Sequence, residues 1–114
     1  MTVSDCLFCK IASGEIPATV VARDERFVAF RDINPEAPTH VLAIPQAHVE
    51  SLNQTADVDL LGGLLLFARG VAEAEGLAER GYRVVINTNA DGGQTVFHLH
   101  AHVLGGRPMV WPPG

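Results

Sequence analysis

The apolar positions along the chain change period several times, and each change predicts an element. Cys6-Leu-Phe-Cys9-Lys-Ile-Ala-Ser-Gly14 reads as a short helix or turn ended by Gly14, with Phe8, Ile11 and Ile16 as apolar anchors. Thr19–Ala22 and Phe27–Phe30 read as two strands joined through the polar turn Arg23-Asp-Glu-Arg26. Two prolines and an Asn-Pro step make Asp32–Thr39 a loop. His40–Ile44 is an unbroken apolar run, a strand buried on both faces that Pro45 ends. Asp57 is a good N-cap for one long helix, and Gly76 marks its end. Tyr82–Thr88 reads as a fourth strand, Asn89–Thr95 as a glycine-rich turn, and His98–Leu104 as a fifth strand broken by Gly105-Gly106. The whole predicts one α+β domain over residues 1–114, an antiparallel five-stranded sheet with one long helix and a short N-terminal helix.

The long helix carries Leu60, Leu61, Leu64, Leu65, Phe67, Ala68 and Val71, more than a single stripe needs. Gly63 and Gly70 fall on one face, seven residues apart, where they would allow another helix close. The expectation is a homodimer with this helix at the interface.

The fifth strand alters the picture most. In His98-Leu-His-Ala-His-Val-Leu104 three imidazoles recur at two-residue spacing, so they share one face while Leu99, Ala101 and Val103 anchor the other. Neighbouring rings are expected roughly 6–7 Å apart and the outer pair roughly 13 Å apart. A lone strand histidine is usually structural, but burying three without a task costs desolvation for each. A neutral central ring, His100, can attack phosphorus if one nitrogen faces out and the other N–H is held. His102 is placed to help bind the phosphate, Gly92 and Gly93 allow backbone N–H groups near an anion, and the Thr95 hydroxyl can donate to a leaving atom.

Two other readings compete. Histidines two apart can grip one metal ion in a hydrolase, with a carboxylate from upstream such as Asp32 or Glu36, since no acid follows Asp91. Alternatively the domain is a nucleotide-binding or interaction module in which hydrolysis is incidental. Cys6 and Cys9 form a C-x-x-C pair: half of a zinc site, a redox couple or two reduced thiols. His48 and His98 are candidates to complete a Cys₂His₂ set, leaving His100 and His102 for chemistry.

Bulk numbers trim the options. At 114 residues and 47% hydrophobic the chain suits one globular core, and a net charge of −5 argues against a broad nucleic-acid surface. Positive surroundings for an anion must be local: imidazoles, backbone N–H groups, Arg107. Met1–Asp5 carries no basic, apolar leader and Leu64–Ala68 is too short to span a bilayer, so no membrane association and a cytoplasmic location are expected. No glycine loop of the Walker type with its lysine is present.

The run His98–Leu104 resembles the His-φ-His-φ-His-φ-φ signature of the histidine triad superfamily. Asp32–His40, Asp91-Gly-Gly-Gln-Thr95 and the closing Gly-Gly-Arg-Pro-Met-Val-Trp-Pro-Pro-Gly are similar to its nucleotide-binding branch. The resemblance spans nearly the whole chain. It implies a homodimer whose sheets join into one of ten strands, each subunit binding a purine nucleotide and hydrolysing nucleoside phosphoramidates through a nucleotidyl-histidine. Residue by residue it implies His100 as nucleophile, His102 on the α-phosphate, Asp32 on the ribose hydroxyls, and Asn87, Gly93 and Thr95 around the phosphate. It further implies His40 supporting the nucleophile as a proton-relay partner, Phe8 and Ile33 lining the base pocket, and Trp111, in a tail over 105–114, approaching the other subunit. Some members carry zinc on residues matching Cys6, Cys9, His48 and His98, which makes a structural zinc possible with no cofactor needed for the chemistry. Position 95 is often serine in the family; threonine keeps the hydroxyl and adds a methyl.

Overall fold

The computed structural model describes residues 3–114, so the first two residues of the Met1–Asp5 lead lie outside the described residues. Helix α1 (Leu7–Ala12) is capped by the Cys6 sulfur, which accepts from the Cys9 N–H. Strands β1 (Val20–Arg23), β2 (Phe27–Arg31) and β3 (Thr39–Pro45) follow. Helix α2 (Val58–Ala74) starts on Asp57, whose carboxylate accepts from the Leu60 N–H, a cap that contributes about 1 kcal/mol. Strand β4 (Tyr82–Val85), the one-turn helix α3 (Asn89–Gly92) and strand β5 (Ala101–Gly105) complete the order. The five strands form one sheet, β1-β2-β3-β5-β4, antiparallel throughout, as the sequence predicts.

Strand alternation splits the interior in two. Phe27 and Ala29 of β2, Val41 and Ala43 of β3, and Leu99, Ala101 and Val103 pack under α2 against Leu64, Ala68 and Val71. The intervening residues, Val28, Phe30, Leu42 and Ile44, pack on Phe8, Ile11 and Ala12 of α1. His98, His100 and His102, alternating with Leu99, Ala101 and Val103, and His40 of β3 therefore belong to the α1 face. Truncating Leu64, which is fully buried, to Ala would cost about 2–5 kcal/mol.

Four expectations change. The histidine strand begins only at Ala101, so His102 alone of the three is in the ladder. The β3–β5 register pairs Ala43 with Ala101, which puts Pro45 opposite Leu99, and proline has no N–H for the ladder. Leu99 donates instead to the Val49 carbonyl at 2.6 Å, and the alternation of faces survives without the strand. Strand β4 likewise stops at Val85, paired with His102, rather than running to Thr88. The glycine-rich turn contains α3, closed by Gly93 at φ +85, a left-handed position that glycine takes freely. Gly63 is not free for a second helix either: a Cβ there would lie 3.0 Å from the ring of Phe27, so its lack of side chain serves packing within the chain. Gly70 has open space beside it.

On the outside, α2 leaves Val58, Leu65 and Leu66 exposed, so within the chain it buries one stripe. Among the described residues no helix is long and apolar enough to cross a membrane.

Candidate functional site

Two histidine clusters share the α1 face. At the first, Cys6 at the mouth of α1, Cys9 one turn on, His48 after β3 and His98 bring their donor atoms within 4.8 Å of one another. The Cys6 and Cys9 sulfurs lie 3.4 and 3.5 Å from His98 Nδ1, and Cys9 Sγ lies 3.3 Å from His48 Nδ1. Zinc bonds of ordinary length at a tetrahedral angle separate a sulfur and a nitrogen by about 3.5 Å, so the spacing fits the ion. The tautomer fits as well. His98 donates from Nε2 to the Pro45 carbonyl at 2.7 Å, leaving the Nδ1 lone pair for the cysteines. Burial raises the Cys9 thiol above its ordinary value, a cost that coordination to a cation would reverse. Burial also pushes His98 down to about 4, which keeps it a neutral ligand. When bound here, zinc supplies a structural tie between α1, the segment after β3 and the start of the histidine run.

At the second cluster His100 donates from Nδ1 to the His98 carbonyl at 2.7 Å. Its Nε2 is thereby left with the lone pair. The Phe8 ring stands edge-on to the imidazole, centroids 5.1 Å apart, and burial lowers the His100 pKa so that the ring is neutral near pH 7. His100 and His102 have ring centroids 5.0 Å apart with their planes at 61°, closer than the extended-strand expectation.

His40 faces His102, not His100. Its Nδ1 accepts from the Glu36 N–H at 3.0 Å, so Nε2 must carry the proton. That Nε2–H meets His102 Nδ1 at 2.9 Å and Asp32 Oδ2 at 3.4 Å. His102 Nδ1 is then the acceptor and its Nε2 the donor, and this Nε2 is buried without a partner among the described residues. Burial, aided by the neighbouring imidazoles, lowers His102 to about 4. His40 is therefore one ring removed from the nucleophile it was expected to support. A metal held by Asp32, His40 and His102 is the form the competing metallohydrolase takes here. Two nitrogens on one tetrahedral zinc stand about 3.3 Å apart. The 2.9 Å contact is shorter and matches a hydrogen bond.

A pocket of about 330 Å³ opens over this cluster. Phe8, Ile11, Phe30 and Leu42 give it an apolar floor, and Asp32, Ile33, Thr95, His100 and His102 edge it. Ile33 is 90% exposed, an apolar residue held at the rim. The pocket thus gathers six of the residues expected around a nucleotide. Asn87, Gly93 and Trp111 are not among those lining it, and Trp111 is 82% exposed. The Gly93 N–H is spent on the Ala90 and Asn89 carbonyls, so the backbone cradle expected there is closed within the turn. Arg107 is also turned elsewhere, donating to the Glu36 carbonyl. A larger groove of about 490 Å³ between α2 and β1 carries no histidine.

Sequence reasoning missed three supports. Gln94 is buried, accepts from the Asn89 N–H at 2.9 Å and donates to the Glu50 carbonyl at 2.7 Å, which fixes the α3 turn beside Thr95. The Pro45 carbonyl and the Glu36 N–H set ring tautomers. Backbone groups carry no sequence signal; a glutamine between Gly93 and Thr95 was the only visible hint.

The HIT domain family model matches residues 13–109. A HIT family hydrolase from Legionella pneumophila has a solved structure that superposes with a TM-score of 0.93, at 58% identity, covering 96% of this chain and all of that one. A 14 kDa zinc-binding protein of Zea mays is 52% identical, over 97% of this chain and 89% of its own length. An adenylylsulfatase of Arabidopsis thaliana, HINT1, is 49% identical, over 97% of this chain and 78% of its own. With a zinc-compatible Cys₂His₂ group beside His100 and His102 at an open pocket, the chain belongs to the histidine triad (HIT) family and is a hydrolase of the HIT type.

Proposed function

We propose that the protein hydrolyses purine nucleoside 5′-phosphoramidates through a nucleotidyl-histidine on His100. The observation that carries this reading is the pair of opposed tautomers in one pocket: a lone pair on His100 Nε2 beside an unpartnered N–H on His102 Nε2.

In the first step His100 Nε2 attacks phosphorus in line, the N–P bond to His100 forms and the P–N bond to the amine breaks. The Nδ1–H held by the His98 carbonyl stabilises the positive charge that develops on the ring. His102 Nε2–H donates to a non-bridging phosphoryl oxygen, and the His40–His102 pair with the Thr95 hydroxyl helps protonate the departing amine. In the second step water attacks phosphorus and displaces His100, and the proton it loses returns to the His40–His102 pair that lent one to the amine, so the nucleoside monophosphate leaves with all three rings neutral again. Asp32 at the rim suits ribose hydroxyls, and the Phe8–Ile33 wall suits a flat purine. Zinc at the cysteine end takes no part in bond-making.

The single-domain protein acts as a homodimer in this reading. Strand β4 is an edge of the sheet, Val84 on it is partly exposed, and α2 leaves Val58, Leu65 and Leu66 uncovered. Pairing β4 with its copy would give ten continuous strands, and the exposed Trp111 of the 105–114 tail would reach toward the partner's pocket.

The test is steady-state hydrolysis of adenosine 5′-phosphoramidate by protein carrying its metal. Release of AMP with one solvent oxygen incorporated is expected, unaffected by EDTA over minutes. No turnover of adenosine or guanosine phosphoramidates, or immediate loss with EDTA, would overturn the reading.

A further inference from the structure

Arg107 follows the Gly105-Gly106 break and is turned away from the pocket, toward the Glu36 carbonyl. Gly106 holds φ +90 and a Cβ there would sit 2.8 Å from Pro38 Cβ, so the chain doubles back tightly against the Asp32–Thr39 loop. The turn delivers the guanidinium to residue 36. Arg107 Nη2 and Nε donate to the Glu36 carbonyl at 3.0 and 3.3 Å, and Nη1 donates to the Pro108 carbonyl at 3.1 Å.

Glu36 is thereby pinned from its carbonyl side while its N–H, on the other side of the same Cα, donates to His40 Nδ1 at 3.0 Å. That N–H sets the tautomer of the next two rings. Were it to swing away, His40 could hold its proton on Nδ1 instead. His40 Nε2 would then be an acceptor toward His102 Nδ1, and His102 would have to turn its own proton inward. The pocket would be left with a lone pair where a phosphoryl oxygen needs a donor. Asp32 Oδ2, 3.4 Å from His40 Nε2, favours the same tautomer but is partly exposed and available to substrate. The loop between Asp32 and Thr39 has no regular structure to hold residue 36; Gly106 and Arg107 do so from outside.

We propose that Arg107 is a positioning residue which, through the Glu36 backbone and His40, keeps the proton of His102 on Nε2, the ring nitrogen not engaged by His40. The inference rests on the nucleotidyl-transfer reading for its consequence in turnover, but its structural content concerns the resting protein. It also gives the C-terminal tail a route to the reaction centre that needs no contact with substrate.

The experiment uses full-length protein labelled with ¹⁵N-histidine, comparing wild type, Arg107→Met and Arg107→Lys. Long-range ¹H–¹⁵N spectra report which nitrogen of each ring is protonated. In wild type, Nε2 of both His40 and His102 should be protonated and both Nδ1 atoms bare. In Arg107→Met both rings should shift toward a mixture of tautomers, with Lys restoring part of the wild-type pattern. Turnover of adenosine phosphoramidate should fall about tenfold in kcat, a fraction of what general acid–base help supplies, with KM within about twofold. Unchanged His40 and His102 patterns in Arg107→Met overturn the proposal, even if kcat or Tm falls. Altered patterns in a protein whose wild type does not turn over the phosphoramidate uphold the positioning role and sink only the proposed reaction.

Discussion

His98 and His100, two residues apart on the same face, are held by the same device applied to opposite nitrogens. His98 gives its Nε2–H to the Pro45 carbonyl and turns Nδ1 toward two sulfurs. His100 gives its Nδ1–H to the His98 carbonyl and turns Nε2 toward the pocket. Burial keeps both rings neutral, yet one is walled in by cysteines and His48, the other by Phe8 and an open cavity. A lone pair aimed at soft, closely spaced donors makes a metal ligand. The same lone pair aimed at empty space beside an N–H donor makes a nucleophile. The surroundings of the free nitrogen, more than the imidazole itself, divide structural from chemical work here.

That contrast can be broken first at the nucleophile. His100→Asn should lower kcat for adenosine phosphoramidate by roughly 10³-fold or more while AMP still binds, because a nucleophile has no substitute in its pocket. Calorimetric titration with AMP checks the binding half. His102→Ala should cost about 10²-fold in kcat, the scale of losing one preorganised donor, and His102→Gln, which can still donate, should recover part of it.

At the cysteine end the effect should fall on stability. Cys9→Ser, or zinc removed by a chelator, should lower Tm by about 10 °C, whereas kcat of the protein still folded at 25 °C should change less than twofold. Differential scanning calorimetry beside an elemental zinc assay tests this; a normal Tm in zinc-free protein would reduce the two clusters to one kind.

The remaining effect is the pH dependence shared by both clusters. In the zinc-free folded chain His98 and His102 titrate near 4, below the 6.5 of a free imidazole. Between those values the unfolded chain binds more protons than the folded one, so stability rises with pH. It should be flat above about pH 6.5 and decline as pH falls toward 4. Urea unfolding of His102→Gln should show a shallower decline; an identical slope would mean that His102 is not buried neutral.

Much of this arrangement was legible in the chain. Alternation separated Leu99, Ala101 and Val103 from the histidines, and Asp57 and Gly76 bracketed α2 through side-chain and backbone chemistry that sequence displays. The set Cys6, Cys9, His48 and His98 was readable as metal-ligand types and the structure brings it together. What escaped lies in the backbone. Pro45 decides from the neighbouring strand where β5 begins, the Gly93 N–H is consumed by its own turn, and the Glu36 N–H chooses the tautomer of His40 by bonding its Nδ1. None of these has a residue-type signature, because every amino acid carries the same peptide group. Gly63 was misassigned because a glycine on a helix face does not say whether the close neighbour, here Phe27, belongs to the same chain.

The central claim is that the nitrogen left free on His100 becomes bonded to phosphorus. Rapid quenching of the enzyme with a slowly hydrolysed adenosine phosphoramidate, followed by peptide mass spectrometry at alkaline pH, tests it most directly. An adenylyl group on His100, absent from His98 and His102, is the predicted result. An adenylyl group on another residue, or turnover in solvent ¹⁸O with no histidine ever modified, would contradict it.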